Sequence, residues 1–131
     1  DHAEIEGEVV LGLWQESLSA PSYTGAEVWL HGDLLPGNLL TTDGHLSAVI
    51  DFGALNTGDP ACDLQPAWNV FTGASRHRFH STLGDDEATW LRGRGWALFQ
   101  AVTALSHYRD TNPGMVAQAS NAMSQILAGQ E

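Results

Sequence analysis

The chain contains no lysine, and its five basic residues are all arginine: Arg76, Arg78, Arg92, Arg94 and Arg109. Against 16 Asp and Glu they leave a formal net charge of -11. An acidic surface of this kind argues against nucleic acid, whose phosphates need Lys and Arg, and against an anionic membrane surface. It favours cationic ligands only weakly, because acidic surfaces chiefly confer solubility. The single cysteine, Cys62, excludes an internal disulfide. Placed beside Ala61 and near Leu64 with no flanking base, it reads as a small buried apolar residue rather than a nucleophile. No apolar run approaches membrane-spanning length. The N-terminus, with Asp1, Glu4 and Glu6, does not resemble a signal peptide, so a reducing, cytoplasmic setting is expected. No G-x-S-x-G elbow surrounds Ser17, Ser19 or Ser22, and there is no G-x-G-x-x-G or Walker pattern. Repeats, low-complexity tracts and internal linkers are also lacking.

What is present suffices for one domain. A chain of 131 residues can bury its own core, and five Trp and four Phe supply large side chains for it. The first residue is Asp1 rather than Met, so a piece of a longer protein is expected.

Read in order, residues 4–18 have helical spacing, with Ile5, Val9, Leu13 and Leu18 on one face. Residues 27–31 read as a strand, and Pro36-Gly37 marks a loop from 32 to 37. Two further strands, 38–41 and 45–50, flank Asp43-Gly44, a hairpin turn signal. Leu46, Ala48 and Ile50 are expected on one face of the second. Equal strand lengths then bring Asn38 and Asp51, at the open ends of the hairpin, together. Residues 51–59 read as a loop. Asp59-Pro60 opens a helix to about Phe71, perturbed at Pro66, and Thr72-Gly73 breaks it. A short helix spans 75–83, and Asp85 or Asp86 caps a long one ending near Tyr108, with Trp90, Trp96, Phe99, Val102 and Leu105 as its buried stripe. Asn112-Pro113 opens the last helix, which turns Met115, Val116, Ala119, Met123, Ile126 and Leu127 inward. The fold class is α+β: a short β-hairpin unit followed by a helical bundle.

The stretch from Trp29 to Asp63 carries the chemistry. In His31-Gly32-Asp33-Leu34-Leu35-Pro36-Gly37-Asn38, Asp and Asn stand five apart after a leading His, the spacing of kinase catalytic loops. Asp51-Phe52-Gly53 follows an apolar strand. In such loops the first Asp orients or deprotonates the attacking hydroxyl, while the Asn and the second Asp hold the metal that bridges the nucleotide phosphates. Hard oxygen donors in small number suit Mg²⁺.

HGDLLPGNLL followed by VIDFGALNTGDPACDL resembles the aminoglycoside phosphotransferase family and its choline and macrolide kinase relatives. Gly32 stands where protein kinases carry Arg, and Gly58-Asp59-Pro60 follows Asp51 too closely for an activation loop. The resemblance implies a protein kinase-like C-terminal lobe spanning residues 1–131. It implies Asp33 as catalytic base, Asn38 and Asp51 as Mg²⁺ ligands and cofactor-binding residues, and His31 and Asp63 as supports, Asp63 hydrogen-bonding the loop backbone. ATP or GTP would be the phosphoryl donor, and the hydroxyl of a small molecule the acceptor. It also implies an N-terminal nucleotide-binding lobe with a Gly-rich loop and a Lys, which this chain lacks. The isolated chain is therefore expected to bind MgATP poorly and turn over slowly, and to self-associate through apolar surface meant for that lobe.

A non-catalytic binding module of the same fold is the alternative, and a carboxylate hydrolase the third reading, disfavoured because Asn38 suits a metal-phosphate site. The other polar residues have plainer readings. His77 and His80 lack a third ligand and read as a solvated helix face. His107 and Tyr108 complement a helix C-terminus. Asp85, Asp86 and Glu87 form a helix start, with contact to a cationic acceptor the sharper alternative.

Overall fold

Caps and prolines set the boundaries of most helices along the chain. The structure, a computed structural model, describes residues 2–129, with side chains from Glu6 onward. Helix α1 (His2–Ser19) ends just ahead of Pro21. Its inward face runs along Val10, Leu13, Trp14 and Ser17, where it packs against α4. Val9 and Leu18, expected inside, are exposed, and the side chain of Ile5 lies outside the described residues.

Among the described residues, four strands form two separate antiparallel pairs. Strand β1 (Val28–Leu30) pairs not with the hairpin but with β4 (Asn56–Gly58), aligning Val28 with Gly58 and Leu30 with Asn56. The loop expected over 51–59 is thus corrected. Asn-Thr-Gly has little intrinsic strand preference, and the open edge of β1 imposes the pairing. Strands β2 (Leu39–Thr42) and β3 (His45–Val49) form the expected hairpin. Asp43 (φ 52°) and Gly44 (φ 78°) both adopt the left-handed conformation that a two-residue type I′ turn requires.

The hairpin strands are not of equal length. Thr41 pairs with Leu46 but Leu40 with Ala48, so Ser47 is bulged out, its hydroxyl donating to the Leu40 carbonyl (3.1 Å). The extra residue interrupts the alternation expected for Leu46, Ala48 and Ile50, and Leu46 and Ile50 are exposed. Asn38 lies not in the strand but in a 3-10 turn, Pro36–Asn38.

The helix expected from Pro60 to Phe71 is divided in two. A 3-10 turn covers Pro60–Leu64, and α2 covers Pro66–Asn69. Asp59 caps the turn, accepting from the Ala61 N–H (3.0 Å), and Pro66, with no N–H to donate, prevents one continuous ladder. Helix α3 (Gly73–Leu83) includes Gly73 rather than starting beyond it. The Thr72 N–H donates to Ser75 Oγ (3.0 Å), which fixes its first turn. Gly84, at φ 66°, ends it. Helices α4 (Glu87–Tyr108) and α5 (Pro113–Ala128) begin at Asp86 and Asn112, whose side chains accept from Thr89 N–H (2.7 Å) and Met115 N–H (3.1 Å).

The core lies around α4, which packs against α1, the 60–64 turn and α5. Its buried stripe is not the aromatic one expected. Trp96, Phe99 and Val102 are 43%, 53% and 45% exposed, while Gly93, Ala97, Leu98, Ala101 and Ala104 are buried. Close backbone approach selects small residues here. A Cβ on Gly93 would lie 2.8 Å from Leu64 Cβ, and Ala101 and Ala104 form a cluster with Ala119 and Ala122 of α5. Trp90 does reach the core, its ring 4.7 Å from Trp68 and stacked at 3.8 Å on His80, so His80 is not part of a solvated face. Leu98 and Ile126 are fully buried, each stabilising by about 1.5–3 kcal/mol. Among the described residues, no helix is long and apolar enough to cross a membrane. The α+β architecture matches the expectation.

Candidate active site

Residues 31–38 form a loop held from beneath. The Asp63 carboxylate, in the 3-10 turn, accepts from the His31 N–H (2.8 Å) and the Gly32 N–H (2.9 Å), one to each oxygen. The buried His31 ring continues the network. Its Nδ1 accepts from the Asp33 N–H (3.1 Å), and its Nε2 donates to the Ile50 carbonyl (2.8 Å). A single tautomer, protonated at Nε2, satisfies both contacts. The Phe52 ring packs against the imidazole in a T-shaped arrangement, the two centroids 4.7 Å apart. His31 therefore joins the loop to the strand end beside Asp51.

Gly32 has two reasons to be glycine. Its φ is 86°, and a Cβ would sit 2.6 Å from the Ala54 carbonyl oxygen. The segment after Asp51 thus occupies the space that a side chain at position 32 would need.

Asn38 turns back onto Asp33. Its Nδ2 donates to the Asp33 carbonyl (2.8 Å) and to the Asp33 carboxylate (3.3 Å). Its own carbonyl accepts from the Ile50 N–H (2.9 Å), which extends the hairpin ladder by one step. An unbulged hairpin would set Asn38 opposite Val49; the bulge at Ser47 sets it opposite Ile50, next to Asp51. Asp51 itself has φ 59°, a left-handed conformation rare outside glycine and common where a side chain must be aimed. Its carboxylate is exposed, with one long contact from the Gly53 N–H (3.4 Å).

Asp33, Asn38 and Asp51 line one end of a cleft of about 470 Å³. Its wall comes from α4 and α5: Phe99, Gln100, Thr103, His107, Tyr108 and Gln118. From the sequence none of them is placed at the site: Phe99 is expected in the core, and His107 and Tyr108 as complements to a helix C-terminus. The available signal was a polar stripe on α4, Gln100, Thr103 and His107, at helical spacing. His107 and Tyr108 face this cleft, in addition to ending α4. The acidic group 85–87 does not line it; Asp86 is a helix cap, and Glu87 lies about 30 Å along α4 from His107. Another cavity of about 410 Å³, between α1 and α4, is lined by Trp14, Leu18, Trp96 and Phe99 and holds no carboxylate.

Cys62 stands outside this chemistry. Burial, reinforced by the negative charge of Asp63, pushes its thiol up to about 11, so it stays protonated and unreactive. Among the described residues, no three His, Cys, Asp or Glu side chains cluster as a metal site. The oxygens at the cleft end suit a different ion. With Nδ2 committed to Asp33, the Oδ1 of Asn38 is the amide atom left to face an ion. One amide oxygen and the Asp51 carboxylate make a sparse, hard set, which fits Mg²⁺ completed by water and phosphate.

Residues 2–98 match the profile of the phosphotransferase enzyme family (APH). A homoserine kinase of Granulibacter bethesdensis is 29% identical over 136 residues, covering 89% of this chain and 40% of that protein. The chain therefore spans about 40% of the length of the curated relative it matches. No solved structure matches it.

Proposed function

The chain belongs to the phosphotransferase enzyme family, and from that premise we propose that it is the acceptor-binding, catalytic lobe of an enzyme that moves the γ-phosphoryl group of ATP or GTP to a small-molecule hydroxyl. The observation that carries this reading is the joined pair Asp33–Asn38, beside Asp51, at the end of a cleft whose far wall is helical.

In the proposed reaction the acceptor lies along α4 and α5, with its hydroxyl at the Asp33 carboxylate. Oxygen attacks the γ-phosphorus, the bond to the bridging oxygen of the nucleoside diphosphate breaks, and the hydroxyl proton passes to Asp33. Little covalent chemistry is asked of the protein; positioning and charge neutralisation supply most of the acceleration. Asn38 Oδ1 and the Asp51 carboxylate would hold Mg²⁺, which supplies neutralisation of the phosphate charge when bound. His31 and Asp63 hold the loop in register, and Asn38 fixes the direction of Asp33.

The nucleotide would be held mainly by a second lobe, since this chain offers no Lys and no Gly-rich phosphate loop. Exposed apolar side chains fit a surface made for a partner: Trp29 is 75% exposed, and Leu46, Phe52 and Leu55 are also exposed. The same surface would drive self-association of the isolated chain, which light scattering at increasing concentration tests.

The acceptor is a matter for a screen. Homoserine comes first, from the relative, followed by amino sugars, choline-like amines and macrolides, from the family. Nucleotide consumption by the two-lobe protein, with and without each acceptor, tests the proposal. Acceptor-dependent consumption that is lost in Asp33→Ala supports it. Consumption without any acceptor, insensitive to Asp33, overturns it in favour of a hydrolase.

A further inference from the structure

We propose that Asn69 is a positioning residue for the catalytic loop, a second clamp beside Asp63; this rests on the role given to Asp33 above. Asn69 ends α2 and is 6% exposed. Its Nδ2 donates to the Leu34 carbonyl (3.2 Å), on the residue immediately after Asp33. Asp63 holds the loop at the N–H groups of His31 and Gly32. The backbone on both sides of Asp33 is therefore tied to buried or half-buried side chains of one segment, residues 60–69. That segment is well anchored, with Ala61, Leu64, Ala67 and Trp68 buried in the core.

The other half of the Asn69 amide marks the position as more than packing. Its Oδ1 is buried and makes no hydrogen bond among the described residues. A buried acceptor without a partner carries a desolvation penalty comparable to, or larger than, the net gain from one neutral hydrogen bond. Leucine, with the same number of side-chain heavy atoms and wholly apolar, would carry no such penalty. What asparagine adds is the donor to the Leu34 carbonyl. The carbonyl of Asp33, one residue earlier, already accepts from the Leu35 N–H (2.8 Å) and from Asn38. Releasing the Leu34 carbonyl frees the 34–35 peptide, whose N–H holds the Asp33 carbonyl, without opening the core. A displacement of the catalytic group by about 1 Å costs on the order of a hundredfold in rate.

The test compares Asn69→Leu, Asn69→Ser and Asn69→Asp in the two-lobe protein, with Asp33→Asn measured in parallel. The leucine variant is expected to unfold within a few degrees of the parent, to lose about tenfold or more in kcat, and to leave KM for both substrates unchanged. Asn69→Asp sets an acceptor against the Leu34 carbonyl and should lose more; Asn69→Ser gives the reading if leucine fails to fold. Hydrogen exchange at the Leu35 and Asn38 amides supplies a readout independent of turnover. Faster exchange there, at unchanged global stability, supports the clamp. Unchanged exchange, or unchanged kcat with a lowered Tm, overturns it. Full activity in Asp33→Asn would instead remove the catalytic reading, while the exchange measurement still decides whether Asn69 orders the loop.

Discussion

The side-chain amide of Asn38 donates to both the carbonyl (2.8 Å) and the carboxylate (3.3 Å) of Asp33, five residues earlier. One contact does two things. It aims the Asp33 carboxylate, and it decides which end of the Asn38 amide is left as an oxygen donor. An aspartate at position 38 would keep a metal-binding oxygen but lose the N–H groups and face Asp33 with like charge. Asn38→Asp is expected to weaken the fold by about 1–3 kcal/mol in urea unfolding and to lower the phosphoryl-transfer rate at every Mg²⁺ concentration. Full activity at raised Mg²⁺ would show that the amide serves only as a ligand.

Gly32 gives a steric prediction. Alanine there would have to hold φ near 86° with its Cβ 2.6 Å from the Ala54 oxygen. Gly32→Ala should cost about 1–3 kcal/mol through backbone strain and should shift the loop away from residues 53–56. Chemical denaturation gives the first quantity, and a change in the His31–Phe52 ring contact, followed by proton NMR, reports the second.

Much of this site was legible in the sequence because its parts are local. Asp33 and Asn38 are separated by one loop, and the Asp43-Gly44 turn joins Asn38 to Asp51 through one hairpin. What was not legible depends on partners distant in the chain. The pairing of β4 is set by β1, 26 residues earlier at the Leu30–Asn56 match, and not by the residues of β4. The inward face of α4 is chosen by how closely Leu64 and the alanines of α5 approach, so glycine and alanine displaced the aromatic residues that hydropathy puts inside. The bulge at Ser47 has no composition signal, yet it decides which residue stands opposite Asn38.

Asp63 ties two N–H groups with two oxygens. Asn at this position keeps one acceptor and points an NH₂ group at the other N–H. Asp63→Asn is therefore expected to destabilise by about 1–3 kcal/mol and to lower kcat more than it raises either KM. Equal stability, measured by thermal unfolding, would mean that the loop is held elsewhere.

Acid stability should report the cap of α4. Hydrogen bonds from Thr89, backbone first and then side chain, hold the Asp86 carboxyl below its ordinary value of 3.8. A group with a depressed folded-state pKa stabilises the fold fully above its unfolded pKa, and that contribution is lost as pH falls through the folded value. Asp86→Ala should therefore lower Tm at pH 7, and the gap to the parent should close below the ordinary carboxylate range. A gap that persists at pH 2 would assign the effect to packing instead of charge.

The central claim is that Asp33 receives or orients the proton of an acceptor hydroxyl during phosphoryl transfer. The most direct measurement is the initial rate of acceptor phosphorylation by the two-lobe protein and by its Asp33→Asn variant, with Tm recorded for both. The account predicts a loss of about 10²–10⁴-fold in kcat at a Tm within a few degrees of the parent. Retention of the parent rate in a folded Asp33→Asn protein would contradict it.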